Sequence, residues 1–318
     1  MSIWVLPSDL LATSRFTVSP MVETVAALRV LHQPRTPWER AWRRPHVDAY
    51  RELLADPALR ALPDAAFAPR WTADFLSIAP ADAAPTFGAE LAAVAALPDE
   101  RMRADLRVTR PGPLPEPLLR PGLTDRVVEL LSWVWNRAVA PEWPERDRRL
   151  RADIVARTAR LSADGWAGVF ADLTGEMRWL GEGRLRVNDY PAPARALDRA
   201  EQLFFIPTTH ARSGWVVWDQ PTRFGVVYPA RGILAESPPA VPGGLVRLIG
   251  ANRAEILARL EHPLSTSHLV ALTGLSLGTV SDHLRVLLDA GAVTKRRSGR
   301  EVLYWRTPLG ASLVRTGD

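Results

Sequence analysis

Ser276, Gly278, Thr279, Ser281 and Asp282 crowd the start of one segment, "GLSLGTVSDHLRVLLDAGAV" (274–293), and Arg285 follows a turn later. Hydroxyls, one carboxylate and a glycine at this spacing form no acid–base pair and no metal cage. They form a close-fitting row of donors and acceptors, suited to reading chemical edges rather than breaking bonds. A little further on, Lys295, Arg296, Arg297 and Arg300 stand close together. Their chemistry is the neutralisation of a polyanion backbone.

Such groups need elements to hold them. At 100° per residue Val280, Leu284 and Leu287 share one side of a helix, while Gly278, Thr279, Asp282 and Arg285 point away from it and Ser281 lies at the edge. The helix before it, "SHLVALTG", can start from Ser265 or Thr266, and Gly274 stops it. Leu275-Ser276 leads into the second helix, and Gly291 stands just past its end. Two short helices joined by a tight glycine-containing turn are the helix-turn-helix pattern. Upstream, Asn252 can cap a helix "RAEILARL", with Glu255 in capping-box position. Downstream, "VTKRR", "SGR" and "EVLYWR" give two strands joined by a basic hairpin, a wing. In motifs of this class the start of the second helix enters the major groove. Ser276, Gly278, Thr279, Ser281 and Asp282 are then the groove residues. Arg285 is placed for a phosphate or for pairing with Asp282, and Lys295, Arg296, Arg297 and Arg300 for phosphates. His283 could touch DNA or pack beside the core.

The segment from about Leu245 to Leu309 resembles the winged helix of the ArsR-type bacterial transcriptional repressors. The likeness rests on Gly-Leu-Ser, Thr-Val-Ser, His-Leu, Ala-Gly-Ala-Val and a Gly-Arg hairpin leading to Leu-Tyr. "RFTVSPMVETVAALRVL" near the start and "DQPTRFGVVYPARG" before the hinge region resemble an actinobacterial subgroup with a long N-terminal domain of undefined function. The resemblance implies a homodimer that represses transcription from a palindromic operator. Two positions depart from the family. Leu277 stands where a polar residue is usual, and Asp282 where a basic one is usual. Asp282 repels phosphate but could accept from cytosine N4. Founding members sense metals through cysteines or through ligands on the last helix. Here "STSHLVALTG" has no cysteine and the tail "ASLVRTGD" is poor in ligands, so neither a metal nor a cofactor is expected.

The chain of 318 residues suits two domains. Ten Arg/Lys face six Asp/Glu from Gly243 onward, against thirty and twenty-nine before it. The basic excess therefore sits where a polyanion would be met. There is no cysteine, which excludes disulfides and fits a reducing compartment. "MSIWVLPSDLLATSRF" has no signal-peptide pattern, and the apolar run 91–97 is too short to span a bilayer. The expected place is the bacterial cytoplasm, on the nucleoid when DNA is bound. No nucleophile elbow, phosphate loop or dinucleotide fingerprint appears, so no catalytic residue is assigned and no enzyme is expected.

The expected fold class is α+β: a mainly helical N-terminal domain (1–235) with a small antiparallel sheet at about 184–230, a linker (236–244), and a winged helix-turn-helix domain (245–318). Ser19-Pro20 and Thr124 read as helix starts, and "GRLRVND", "QLFFIP", "GWVVWDQP" and "RFGVVYP" as the strands. Eleven of the twelve tryptophans precede the linker, as core packing or as the lining of a ligand pocket. His210 reads as an incidental loop residue. The chain reads as a one-component repressor with double-stranded DNA and a second copy of itself as partners, and a small-molecule effector as a third. The alternative is a constitutive architectural DNA binder whose N-terminal domain makes protein contacts.

Overall fold

Ser19 accepts a hydrogen bond from the Val22 N–H at 3.0 Å, and Pro20 takes the first helical position. The helix they open, Pro20–His32, is apolar almost all round and is buried on nearly every side, as a helix without a polar face must be. This is a computed structural model. It describes residues 2–69, 71–110, 112–170, 177–188, 192–210, 214–219, 221–230, 241–260, 264–298 and 301–315. The chain divides into two compact units: Met1–Arg146 with Phe170–Pro229, and Asp147–Val169 with Ala230–Asp318. Residues 147–169, counted with the N-terminal domain on sequence grounds, thus fall in the second unit.

The first unit runs β1 (Ser2–Val5), α1 (Ser8–Thr13), β2 (Arg15–Phe16), α2 (Pro20–His32), α3 (Pro37–Arg43), α4 (Val47–Leu53), α5 (Pro57–Ala66), α6 (Phe87–Ala95), α7 (Asp99–Thr109) and α8 (Leu123–Val134). The first turn of α9 (Trp143–Phe170) follows; that helix is interrupted at Gly165. Then come β3 (Arg178–Gly181), β4 (Arg184–Asn188), β5 (Arg195–Ala196), β6 (Gln202–Thr208), β7 (Trp215–Asp219) and β8 (Arg223–Pro229). Helices α2, α5, α7 and α8 share one apolar core, and Trp135 stacks on Phe87 at 4.6 Å at its margin.

The expected single antiparallel sheet is replaced by two mixed ones, ordered β3-β4-β1-β5 and β2-β6-β8-β7. Strands β6 and β8 pair in parallel, and β7 joins β8 antiparallel at the edge. The physical reason lies in composition. Both β6 and β8 are buried at every position after the first. Strands covered on both faces read as continuous apolar runs, which favours a parallel interior pair. The short β1 and β2 come from the chain start and were not expected in either sheet. Thr124 does not cap α8. The Asp99 carboxylate of α7 does, accepting from the N–H groups of Gly122, Leu123 and Thr124 at 2.8–3.2 Å.

Glu23 is the one carboxylate on the buried α2, and it is completely enclosed. It accepts hydrogen bonds from the Thr208 hydroxyl and the Thr209 N–H, both at 2.6 Å, and pairs with Arg146 at 3.1 Å. Arg146 also reaches Glu142 at 2.7 Å, and its guanidinium lies against the His210 ring. Trp42 stands edge-on to His210 at 4.4 Å. His210, incidental in the sequence, is therefore a buried member of a polar cluster built from four separate stretches of chain. Burial, with the Arg146 charge beside it, pulls the His210 pKa down to about 4. Burial works against the Glu23 carboxylate, but His210 and Arg146 outweigh it and hold Glu23 well below the usual range.

Glu90 on α6 shifts the other way. Burial lifts it to about 7, although it accepts from the Ser19 hydroxyl at 2.6 Å and the Met21 N–H at 2.8 Å. His210 is neutral in the fold, so its contribution is complete above the unfolded value of 6.5 and is lost as the pH falls toward 4. Glu90 holds its proton in the fold, so its contribution is complete below the unfolded 4.5 and is lost as the pH rises through 7. The two trends oppose each other. Glu90→Gln removes one of them, and on acidification from about pH 7.5 to about pH 5 the melting temperature of this variant should fall several degrees further than that of the wild type. An equal fall in both proteins would show that Glu90 does not hold its proton in the fold.

The second unit contains residues 147–169 of α9, then α10 (Gly243–Ile249), α11 (Ala251–Arg259), β9 (Leu264–Ser265), α12 (Thr266–Thr273), α13 (Leu277–Asp289), β10 (Val293–Ser298), β11 (Glu301–Arg306) and α14 (Pro308–Arg315). Most of the expected linker lies outside the described residues, and its last two positions, Gly243 and Gly244, open α10. Helix α11 begins at Ala251, directly after Gly250. Asn252 is therefore inside the helix rather than its cap, and Glu255 pairs with Arg259 at 2.8 Å instead of closing a capping box. Strands β10, β11 and β9 form an antiparallel sheet in the order β10-β11-β9.

Candidate nucleic-acid interface

Helix α12 is capped by Ser265, whose hydroxyl accepts from the His268 N–H at 3.3 Å, with the His268 ring returning to Ser265. It ends at Gly274, which takes the left-handed conformation (φ 70°) that a side chain there would strain. Ser276 then caps α13, accepting from the Thr279 N–H at 3.2 Å. Three residues thus separate two helices that pack on each other. Val280, Leu284 and Leu287 face the core and are at most 3 % exposed, as their spacing requires.

The opposite side of α13 is the candidate reading surface. Ser276, Gly278, Ser281, Asp282 and Arg285 are exposed and Thr279 is half-buried. The Ser276 and Thr279 hydroxyls are 2.8 Å apart, so the two side chains act as one polar unit at the helix tip. Arg285 donates to Asp282 at 3.0 Å. Both are largely exposed, and such a pair contributes about 0–1 kcal/mol, so either group can turn to a new partner at small cost. Leu277 is 59 % exposed beside them. Its position, as the departure from the family pattern, was visible in the sequence; its exposure was not. His283 is half-buried, and among the described residues its Nε2 has no hydrogen-bond partner.

Lys295, Arg296 and Arg297 are exposed on β10. Cross-strand partners fix which face each takes: Lys295 is opposite Tyr304, Arg296 opposite Leu303 and Arg297 opposite Val302. Side chains alternate along a strand, so Lys295 and Arg297 share the face that carries the buried Val293, while Arg296 projects from the other. The cations therefore line both sides of a hairpin. Arg300 lies outside the described residues. Among the described residues, no group of three or more His, Cys, Asp or Glu could hold a metal ion, and no helix is long and apolar enough to cross a membrane.

Gly278 gives a direct test of the surface. A Cβ there would meet only the Ser276 hydroxyl, at 3.9 Å, so the fold leaves room for a side chain. Gly278→Ala should stabilise the helix by roughly 0.5–1 kcal/mol, because glycine in a helix loses more freedom on folding. If the helix tip approaches base edges, the same change should weaken duplex binding about tenfold. Higher thermal stability with undiminished DNA affinity would remove Gly278 from the interface.

Residues 251–296 match the family described as a helix-turn-helix domain. No curated protein and no solved structure matches the chain. The match spans α11, α12, the turn, α13 and β10 as far as Arg296, and so includes the exposed polar tip and the cations Lys295 and Arg296. The chain thus carries a helix-turn-helix domain of the DNA-binding, regulatory kind.

Proposed function

We propose that the protein is a one-component transcriptional repressor with an ArsR-like winged helix. It binds a palindromic operator as a homodimer, on the nucleoid of a bacterial cytoplasm, and has no catalytic role. The observation that carries this proposal is the exposed polar tip of α13 in the same small unit as a hairpin with cations on both faces. In the proposed complex, Ser276, Gly278, Thr279, Ser281 and Asp282 enter the major groove. The exposed Leu277 meets a thymine methyl. Arg285 and the hairpin cations hold phosphates, with the hairpin acting as the wing.

The first unit senses an effector or holds the dimer together. A ligand acts by favouring one arrangement of the two readers over another, and a hundredfold preference supplies roughly 2.7 kcal/mol. A cavity of about 340 Å³ in the first unit supports sensing over a purely architectural role. Two-fold operators need two readers held about one helical turn apart. Leu248, 68 % exposed on α10, offers one apolar contact for a second copy. Sedimentation of the full chain with a selected duplex tests the assembly. Two chains per duplex, protecting two half-sites about ten base pairs apart, are expected. One chain bound at full affinity to a single half-site would contradict the dimer.

A further inference from the structure

The cavity in the first unit has an unusual balance of charge. It is lined by Val25, Ala26 and Val30 of α2 and by Phe67 and Trp215, and Arg29 projects among them. The Arg29 guanidinium donates to the Thr72 hydroxyl at 3.1 Å and lies 5.0 Å from the centre of the Phe67 ring. Among the described residues no carboxylate is within ion-pairing distance of it. Burial and the neighbouring Arg35 charge pull its pKa down to about 10. Arg35 also lines the cavity, as does Glu39. The Glu39 Oε2 is already committed to the Thr36 N–H at 2.7 Å, closing the capping box of α3.

Trp215 lines the same cavity, with its indole Nε1 sealed from solvent. A half-buried guanidinium without an acid carries a desolvation cost that an anionic acceptor would relieve. Two arginines against one glutamate leave room for a single negative charge. Gln33, Thr72 and His210 add uncharged polar wall, and the rest is aliphatic and aromatic.

We infer that this cavity binds a small monocarboxylate with an apolar body, its carboxylate on Arg29 and its body against Val25, Val30 and Phe67. The inference names the effector class of the sensing role proposed above, and its regulatory half rests on that proposal. Planar bidentate recognition of a carboxylate is what arginine does better than lysine. A volume near 340 Å³ is at the low end for ligand sites, which favours an acid the size of phenylacetate over anything larger.

The test uses the full chain and a matched set of probes: acetate, benzoate, phenylacetate and 1-naphthylacetate, with phenylacetamide and 2-phenylethylamine as neutral and cationic counterparts. Thermal stability and tryptophan fluorescence report binding, and release of duplex DNA is followed separately. An aryl acid should raise the melting temperature by a few degrees and change the fluorescence, while the amide and the amine do neither. Arg29→Met should raise the melting temperature of the ligand-free protein, because it removes a half-buried charge with no acid beside it, and should weaken acid binding at least tenfold. Arg29→Lys should restore only part of that binding. If no acid in the set binds, if the amide binds as well as the acid, or if Arg29→Met leaves acid binding intact, the inference is overturned. If the acid binds through Arg29 and the affinity for duplex DNA does not change, the binding site stands and the sensing role fails.

Discussion

Replacing Arg296 and Arg297 together by alanine is expected to weaken binding to every duplex by nearly two powers of ten at about 0.1 M salt. Each lost phosphate contact removes roughly 0.9 from the slope of log K against log salt concentration, so the two together flatten it by about two. The effect should be the same for a selected sequence and for random DNA, because phosphates carry no sequence. The geometry supports counting both contacts. The two side chains leave opposite faces of β10, so a hairpin placed between two backbones can use both. A flattening of only about one would mean that a single face meets DNA. A loss of sequence preference without a change of slope would mean that the hairpin, not the helix, reads the bases.

Glu23→Ala is the second large effect, and it concerns the first unit. The substitution leaves Arg146, 4 % exposed, without its buried partner, and takes the acceptor from Thr208 and from the Thr209 N–H. Breaking a buried pair from one side costs about 3–5 kcal/mol. Glu142, half-exposed and 2.7 Å from Arg146, keeps the expected loss near the lower end. For a unit of this size that corresponds to a fall in melting temperature on the order of 10 °C. Replacing both charges, Glu23→Leu with Arg146→Met, should recover a good part of the loss, since well-packed apolar groups often replace a buried pair without penalty. If the double variant is no more stable than Glu23→Ala, the cluster is held by its hydrogen bonds and not by the ion pair.

These two regions were not equally legible in the sequence. The helix-turn-helix could be read because its rules are local. Ser276 caps, Gly274 turns, and Val280, Leu284 and Leu287 repeat at helical spacing within a single stretch. The face taken by each hairpin cation follows from strand alternation once Val293 is placed inward. Asn252 was misread because a capping pattern of Asn and Glu competes with a helix that starts two residues earlier, at Ala251.

The first unit depends on long-range pairing. β1 and β2 join sheets whose other strands lie more than 170 residues later, and no period-two count over four residues or two could place them. The parallel β6–β8 pair did leave a trace, in runs without a polar face. The Glu23 cluster left one as well. A helix as apolar as Pro20–Leu31 must be buried, so its lone carboxylate must find partners; the sequence shows that need but not that Arg146, Thr209 and His210 meet it. The carboxylate inferred for the cavity left no sequence signal. It depends on Arg29 lacking an acid in space, and a sequence lists charges without their neighbours.

The central claim is that α13 reads the sequence of duplex DNA. It is tested most directly by sequencing the duplexes that the full chain retains from a random pool, for the wild type, Thr279→Ala and Asp282→Ala side by side. The expected wild-type result is one enriched pattern made of two related halves about a helical turn apart. Each variant should keep the spacing and change the preferred bases within the halves, with each disfavoured base pair costing about 1–3 kcal/mol. A pool with no enriched pattern, or the same pattern from all three proteins, would contradict the claim.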